Sequence, residues 1–260
     1  MTHGPKPKNG LQELDDNARL ISHYDKLAPR YEKLYENQSR LSDFYKSRQS
    51  CVFELLRGLN GSDALEVGCA AGLMVDFFLE EQINYVGVDI SPGMVQLCED
   101  RFRDAEGTRF SVGDMRDLDF PDCSFDVVIA LGALEYIHDE QQAVIEMARV
   151  LKPAGTLLLS GISKWSTYNV FNRFIYRKLQ RWQPACIVRE FHTEREYRSL
   201  MSRAQMDVTD VAYFNSTFGG RYLDKMLPNS ASDRTGKEQQ GHPWLERLSN
   251  GFIVQAQKPT

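Results

Sequence analysis

Residues 65–72 read Leu65-Glu66-Val67-Gly68-Cys69-Ala70-Ala71-Gly72, and this stretch decides the fold. Ala64 to Val67 is a short apolar strand, the residues behind it are small, and Leu73 to Glu81 has a helical pattern. Glycines at such a junction allow a tight turn and let backbone approach a ligand. The N–H groups of the opening helix then face the bound molecule. An ordinary strand-to-helix turn also takes glycine, so the loop alone is a weak signal. Asp89 strengthens it. It ends a second apolar strand, Tyr85 to Val88, about 20 residues on, where a ribose-binding acid belongs. A carboxylate there accepts both ribose hydroxyls through short, charge-assisted hydrogen bonds. Taken alone, an acid at that place is also a common helix cap.

Outward from the loop, strands and helices alternate. A helix runs from Pro92 to Arg103 behind Ser91, with proline in its first position. Strands follow at Thr108–Val112 and Phe125–Leu131, then a helix from Asp139 to Leu151 closed by Lys152, Pro153 and Gly155, and a strand from Thr156 to Ser160. This alternation predicts an α/β fold with a doubly wound, mostly parallel sheet. Strands apolar throughout suit a sheet covered on both faces. Later come a helix from Thr193 to Ala204 and strands at Val208–Phe214 and Gly251–Gln257, which suit an antiparallel edge pair. Upstream, the pattern is helical from Leu11 to Leu59. Leu20, Ile21, Tyr24, Leu27 and Tyr31 fall roughly on one face, Pro29 is a break, and a second helix begins near Ser42.

Bulk properties narrow the function. The chain has 260 residues, 42% hydrophobic and 26% charged, enough for one α/β domain with a full core. A formal net charge of -5, with no long basic run, argues against nucleic acid as a partner. Cys51, Cys69, Cys98, Cys123 and Cys186 are scattered without a CxxC pair, which predicts free thiols and no metal site. The first ten residues lack an apolar stretch, no run approaches the ~18 apolar residues of a bilayer span, and the expected location is the cytoplasm.

Two features separate the loop from a dinucleotide-binding one. The pattern G-x-G-x-x-G/A needs a small residue at Leu73, and Glu66 stands two residues before the first glycine. With these residues the sequence resembles the class I S-adenosylmethionine-dependent methyltransferases, especially the small-molecule enzymes of ubiquinone and menaquinone biosynthesis. The resemblance covers about Tyr24 to Ser160. It is carried by HYDKLAPRYEKLY (His23 to Tyr35), LEVGCAAG, VDISPGMV (Val88 to Val95), VGDMRDLDFPDCSFDVVIALGALEYIHD (Val112 to Asp139) and RVLKPAGTLLLS (Arg149 to Ser160).

The resemblance implies a seven-stranded sheet with an antiparallel last strand and S-adenosylmethionine as cofactor. It implies an N-terminal helical lid at 11–60 and a methyltransferase domain at 61–260 with an acceptor cap at 162–192. Composition adds a disordered tail at 1–10, rich in Pro, Gly and Lys, and a polar, mobile loop at 216–243. Glu66 would approach the methionine end of the cofactor, and Gly68, Cys69, Ala70 and Gly72 would lie under it. Asp89 would hold the ribose, with Ile90 and Met94 nearby. Asp114 would meet the adenine amino group and Met115 the ring. Leu131 would sit near the reacting centre, and Tyr24 and Tyr31 would help close the lid. The middle glycine common in the family is Ala70 here.

The acceptor side is less legible. Ligands of open α/β sheets lie beyond the C-terminal strand ends. That selects Glu135, Tyr136 and His138 after the fourth strand, and His192. The histidines are candidate bases because imidazole titrates near neutral pH, though each could serve only structure. Relatives often have His where this chain has Tyr136 and Pro where it has His138. Residues 167–182 read as an amphipathic helix with Phe171, Phe174, Ile175 and Leu179 on one face and Arg173, Arg177, Lys178 and Arg181 on another. Three readings stay open for it: a lid packed on its own domain, a pocket wall for a bulky apolar or aromatic acceptor, or a transient contact with an anionic membrane surface. The expected activity is methyl transfer to a small acceptor, first of all at oxygen, by a monomer or homodimer. N- or C-methylation, or a protein that keeps the cofactor without transferring methyl, are the alternatives.

Overall fold

The computed structural model describes residues 10–31, 40–59, 61–164, 166, 191–214 and 249–260. The tail, the segment 167–182 and the loop 216–243 named above lie outside them, apart from Gly10.

Two helices come first: α1 (Gly10–Leu27), closed by a 3-10 turn at Ala28–Arg30 that contains Pro29, and α2 (Arg40–Leu56). The sheet then follows the expected rhythm: β1 (Asp63–Val67), α3 (Val75–Glu80), β2 (Asn84–Asp89), α4 (Pro92–Arg101), β3 (Thr108–Val112) and β4 (Phe125–Leu131). A 3-10 turn at Leu134–Tyr136 leads to α5 (Glu140–Val150) and β5 (Leu151–Ile162). Next come α6 (Glu194–Arg203), β6 (Asp207–Phe214) and β7 (Gly251–Gln257). Helix starts obey local chemistry. The Ser91 hydroxyl accepts from the Met94 N–H, Asp139 accepts from Gln142, and Thr193 with Glu196 makes a reciprocal capping box.

The seven strands lie in the order β3-β2-β1-β4-β5-β7-β6. All pairs are parallel except those of β7, which runs antiparallel to both β5 and β6. Most boundaries fall within a residue or two of the sequence reading, and one differs more. Lys152 to Gly155, expected to stop a helix, belong to an extended β5 that starts at Leu151. Leu151 pairs with Phe125, Ala154 absorbs the register shift at φ +62°, and Lys258 exchanges backbone hydrogen bonds with Ala154 and Gly155.

Alternating strand residues feed two apolar layers. Leu65, Val67 and Val128 pack with Val144 and Met147 of α5 and with Tyr197 and Met201 of α6. Ala64, Tyr85 and Ile129 pack with Leu56 of α2, Phe78 of α3 and Phe102 beyond α4. The strand order reverses between β1 and β4, and a crevice opens there past their C-terminal ends, as open α/β sheets require.

Candidate cofactor site

The crevice is a cleft of about 870 Å³ of empty space, part of it open to solvent. Its floor is the loop after β1. Gly68 takes φ +76°, and a side chain there would put Cβ 2.6 Å from Cβ of Ala133. The Gly68 and Cys69 N–H groups both donate to the Val88 carbonyl, which ties the loop to β2. Ala70 sits at φ +48°, a conformation that costs an L residue about 1–2 kcal/mol. Its N–H donates to Oδ2 of Asp89 at 2.9 Å, while the Ser91 N–H donates to Oδ1 at 2.9 Å.

Asp89 is only 9% exposed. Burial pushes its carboxyl above the ordinary range and Asp25 adds to this, while the backbone donors Ser91, Ala70 and Ile90 pull it back. With about four lone-pair positions on its two oxygens, the carboxylate keeps acceptor capacity for a ligand beyond these donors.

Glu66, at 4% exposure, accepts from the Tyr85 hydroxyl at 2.6 Å. Burial pushes its carboxyl up to about 7, against the pull of the Tyr85 hydroxyl and the Arg48 charge. Arg48 of α2 is the group that sequence reading missed. It is 8% exposed, lines the cleft, and donates from Nη1 to the Leu131 carbonyl at 3.0 Å. Among the described residues its buried Nε has no hydrogen-bond partner. Its neighbour Gln49 donates to the Leu73 carbonyl at 3.0 Å and lines the same cleft. A helix pattern marks buried faces, and a lone Arg on it carries no signal until the tertiary fold brings α2 to the loop.

At the far end, Asp114 receives Arg116 through Nε at 2.9 Å and Nη2 at 2.5 Å, with the Arg116 N–H at 2.9 Å. Desolvation opposes the shift, but these donors and the guanidinium charge hold the carboxyl below its ordinary value. Ile90, Met115 and Leu131 complete this side. Above lies α1. Leu20 and Tyr24 from it, and Tyr31 just after, face the cleft. Tyr24 meets Tyr136 edge-on with ring centroids 5.8 Å apart. Asp25 accepts from the Ser91 hydroxyl at 2.6 Å and the Gly93 N–H at 2.9 Å, which pins α1 to the start of α4.

Eleven of the cofactor positions read from sequence therefore meet in one place: Tyr24, Tyr31, Glu66, Gly68, Cys69, Ala70, Asp89, Ile90, Asp114, Met115 and Leu131. Gly72 and Met94 stand apart from the lining. At φ +68°, Gly72 turns the chain where a Cβ would lie 2.8 Å from Phe102. Met94 is wholly buried in the base of α4.

The acceptor-side candidates separate. Tyr136 faces the cleft. Glu135 is fully buried and accepts the Ile162 N–H at 3.2 Å. His138 lies 3.1 Å from Asp16 of α1, and His192 lies 2.9 Å from Glu140. Among the described residues no helix is long and apolar enough to cross a membrane.

Residues 65–159 match the model of the methyltransferase domain family. The chain is 25% identical over 190 residues to a sterol 4-C-methyltransferase of Caenorhabditis elegans, covering 72% of this chain and 57% of that protein. It is 28% identical over 146 residues to a demethylmenaquinone methyltransferase of Tropheryma whipplei, covering 56% and 60%. The chain thus spans under two thirds of the length of these curated relatives. Among solved structures it resembles the magnesium protoporphyrin IX methyltransferase of Synechocystis PCC 6803 with SAH bound. The TM-score is 0.65 at 16% identity, covering 94% of this chain and all of the other at 100%.

Proposed function

We infer that the chain is a class I S-adenosylmethionine-dependent methyltransferase, since residues 65–159 match the methyltransferase domain family, with S-adenosylmethionine as the cofactor of that domain. From that premise we propose that it is an enzyme that moves a methyl group, by in-line displacement, to the oxygen of a small aromatic or lipid-like acceptor.

The observation that carries this reading is that Asp89, Glu66 and Arg48, all nearly buried, converge on one cleft. Asp89 has spare acceptor capacity for a vicinal diol. The unpartnered Arg48 Nε, beside Glu66, suits an amino acid whose carboxylate and ammonium need opposite partners. Asp114 retains lone pairs for an adenine amino group beyond its bonds to Arg116. These residues therefore fit an adenosyl amino acid. When bound, S-adenosylmethionine supplies a methyl group on a cationic sulfonium. The chain's part is to hold the reactants in line, which can be worth ~7–11 kcal/mol. Tyr136 and His192 are assigned to the acceptor, while Glu135 and His138 hold the walls. Sterol, demethylmenaquinone and magnesium protoporphyrin IX, in the relatives' names, are large ring compounds and support a bulky acceptor.

The test is incubation with methyl-labelled S-adenosylmethionine and a panel of hydroquinones, catechols, sterols and fatty alcohols. Label is expected in a methyl ether. Label in none of them, from a protein that binds S-adenosylhomocysteine, would overturn the enzyme reading.

Glu66 provides an independent check. Its folded value of about 7 lies above its ordinary 4.5, so the folded state holds the proton more tightly. Its contribution to stability is full below the ordinary value and is lost as pH rises through about 7. A cationic ligand beside it favours the ionised form and expels the proton. Calorimetric titration with S-adenosylmethionine at about pH 6, in buffers of different ionisation enthalpy, is expected to show release approaching one proton. The release fades above neutrality and is absent in Glu66→Gln. Heats independent of buffer would separate Glu66 from the cofactor's charge.

A further inference from the structure

The turn after β3 carries an ion pair at the edge of the cleft. Gly113, Asp114 and Met115 line the cleft, and Arg116 stands outside the lining. The chain reverses there: Asp114 and Asp117 form an isolated antiparallel bridge, and the Asp117 N–H donates to the Asp114 carbonyl at 3.0 Å. The Arg116 N–H closes the turn on Oδ1 of Asp114 at 2.9 Å, the local bond that makes aspartate a turn residue. The Arg116 side chain then folds back on the same carboxylate, with Nε 2.9 Å from Oδ1 and Nη2 2.5 Å from Oδ2. A two-bond fork of this kind fixes the plane of a carboxylate as well as its position. At 15% side-chain exposure against 31% for Asp114, the arginine is the covered member of the pair and the carboxylate the open one.

We propose that Arg116 is a positioning residue that holds Asp114 ionised and aimed, so that the cleft takes a purine with a 6-amino group and rejects one with a 6-oxo group. This rests on the cofactor reading above and deepens it, from an acid that meets adenine to a pair that selects it. An ionised carboxylate only accepts hydrogen bonds. It accepts one from the amino group of adenine. Against the carbonyl oxygen of hypoxanthine it sets two acceptors face to face, with no hydrogen between them. A site made to receive an N–H rejects the analogue without it, because its own polar group is left unpaired. A protonated Asp114 loses this preference, since its O–H donates to a carbonyl. The selection lasts only while Asp114 is ionised, and Arg116 secures that state.

The surrounding charges set the pH range. Asp117 shares the turn. From α5, Gln142 donates to the Arg116 carbonyl at 3.4 Å, and Glu146 accepts the Leu118 N–H at 3.1 Å while paired with Arg149. Arg116 is the charged group that acts on the Asp114 carboxyl. Desolvation pushes this carboxyl up, but the Arg116 donors and charge outweigh it and hold it below its ordinary value. Removing Arg116 leaves desolvation unopposed, and the carboxyl is then expected to titrate above its ordinary value.

The test compares S-adenosylhomocysteine with S-inosylhomocysteine, which differ only in the six-membered ring of the base, by calorimetry on the full chain between about pH 5 and about pH 8. Glu66 and Asp89, both pushed up by burial, also bear on affinity as pH falls. They face the parts that the two ligands share, so their effects cancel in the ratio of affinities. Wild-type protein is expected to favour the adenine ligand by about 100-fold or more, at a ratio level across the range. Arg116→Met is expected to lower the ratio by about tenfold or more, and further as pH drops. Arg116→Lys keeps the charge without the fork, so its ratio is expected to be lower than in wild type but level with pH. A ratio unmoved by Arg116→Met would mean that the pair serves only the turn. A wild-type ratio near one, or one that falls with pH, would mean that Asp114 is not held against the base as an anion. Each of these results overturns the proposal. Where Arg116→Met does not fold, Arg116→Lys decides, and a ratio equal to that of wild type overturns the role of the fork. Carboxyl-carbon NMR of the free protein keeps the two readings apart. Asp114 is expected to titrate below the ordinary aspartate range with no ligand present. Wild-type protein that shows this and fails to bind S-adenosylhomocysteine refutes the cofactor reading, while titration in or above the ordinary range refutes the pair alone.

Discussion

Asp89→Ala is expected to weaken S-adenosylhomocysteine binding by about two to four orders of magnitude, since two hydrogen bonds to a charged group at ~1.5–3 kcal/mol each are lost. The damage has a second source within the protein. The Ala70 and Ser91 N–H groups, each 2.9 Å from the carboxylate, lose their acceptor in a buried place. Ala70 holds its φ of +48° only while something repays the strain. The loop should therefore relax in the free protein, with a lower melting temperature. Asn is a poor substitute. It retains one acceptor oxygen but turns an NH₂ toward one of two N–H donors, so Asp89→Asn is expected to bind almost as weakly. Calorimetry with both variants, with circular dichroism to confirm folding, is the measurement. Full affinity in Asp89→Ala would place the ribose elsewhere.

The second large effect is expected at Arg48. Arg48→Met keeps much of the apolar stem but removes the cation. It leaves the Leu131 carbonyl without its donor and Glu66 without its positive neighbour. Truncating one partner of a buried, charged pair costs about 2–5 kcal/mol, so affinity for S-adenosylhomocysteine should fall by about 30-fold or more. Removing the charge that lowers Glu66 should also move the midpoint of proton release upward. Arg48→Lys is expected to recover little, because an ammonium cannot reach the carbonyl and a ligand carboxylate with one planar fork. Undiminished affinity in Arg48→Met would remove this residue from the cofactor site. A lower affinity with an unmoved Glu66 midpoint would mean that the two charges act separately.

What the sequence by itself determined is the part encoded in short stretches. The apolar runs of β1, β2 and β4, separated by helical patterns, specify a sheet buried on both faces. The observed β3 (Thr108–Val112), β4 (Phe125–Leu131) and β7 (Gly251–Gln257) coincide with the segments read from pattern alone. The loop residues Gly68 and Ala70 and the strand-terminal Asp89 were legible because a tight turn and a ribose acid each demand a residue type at a fixed place. Only the tertiary structure could decide the rest. Lys152 to Gly155 carry helix-stopping residues, yet they join β5 because Leu151 before them pairs with Phe125, and Ala154 and Gly155 bond to Lys258. Arg48 reaches the cleft because α2 packs against the sheet face that holds Ile129 and Leu131. His138 and His192 look alike in sequence, each a lone imidazole near a helix start. Folding gives one an aspartate of α1 and the other a glutamate of α5. Local patterns record what a residue's neighbours in the chain require. Charge pairing and burial depend on residues far along it, and those distances exist only after the chain has closed on itself.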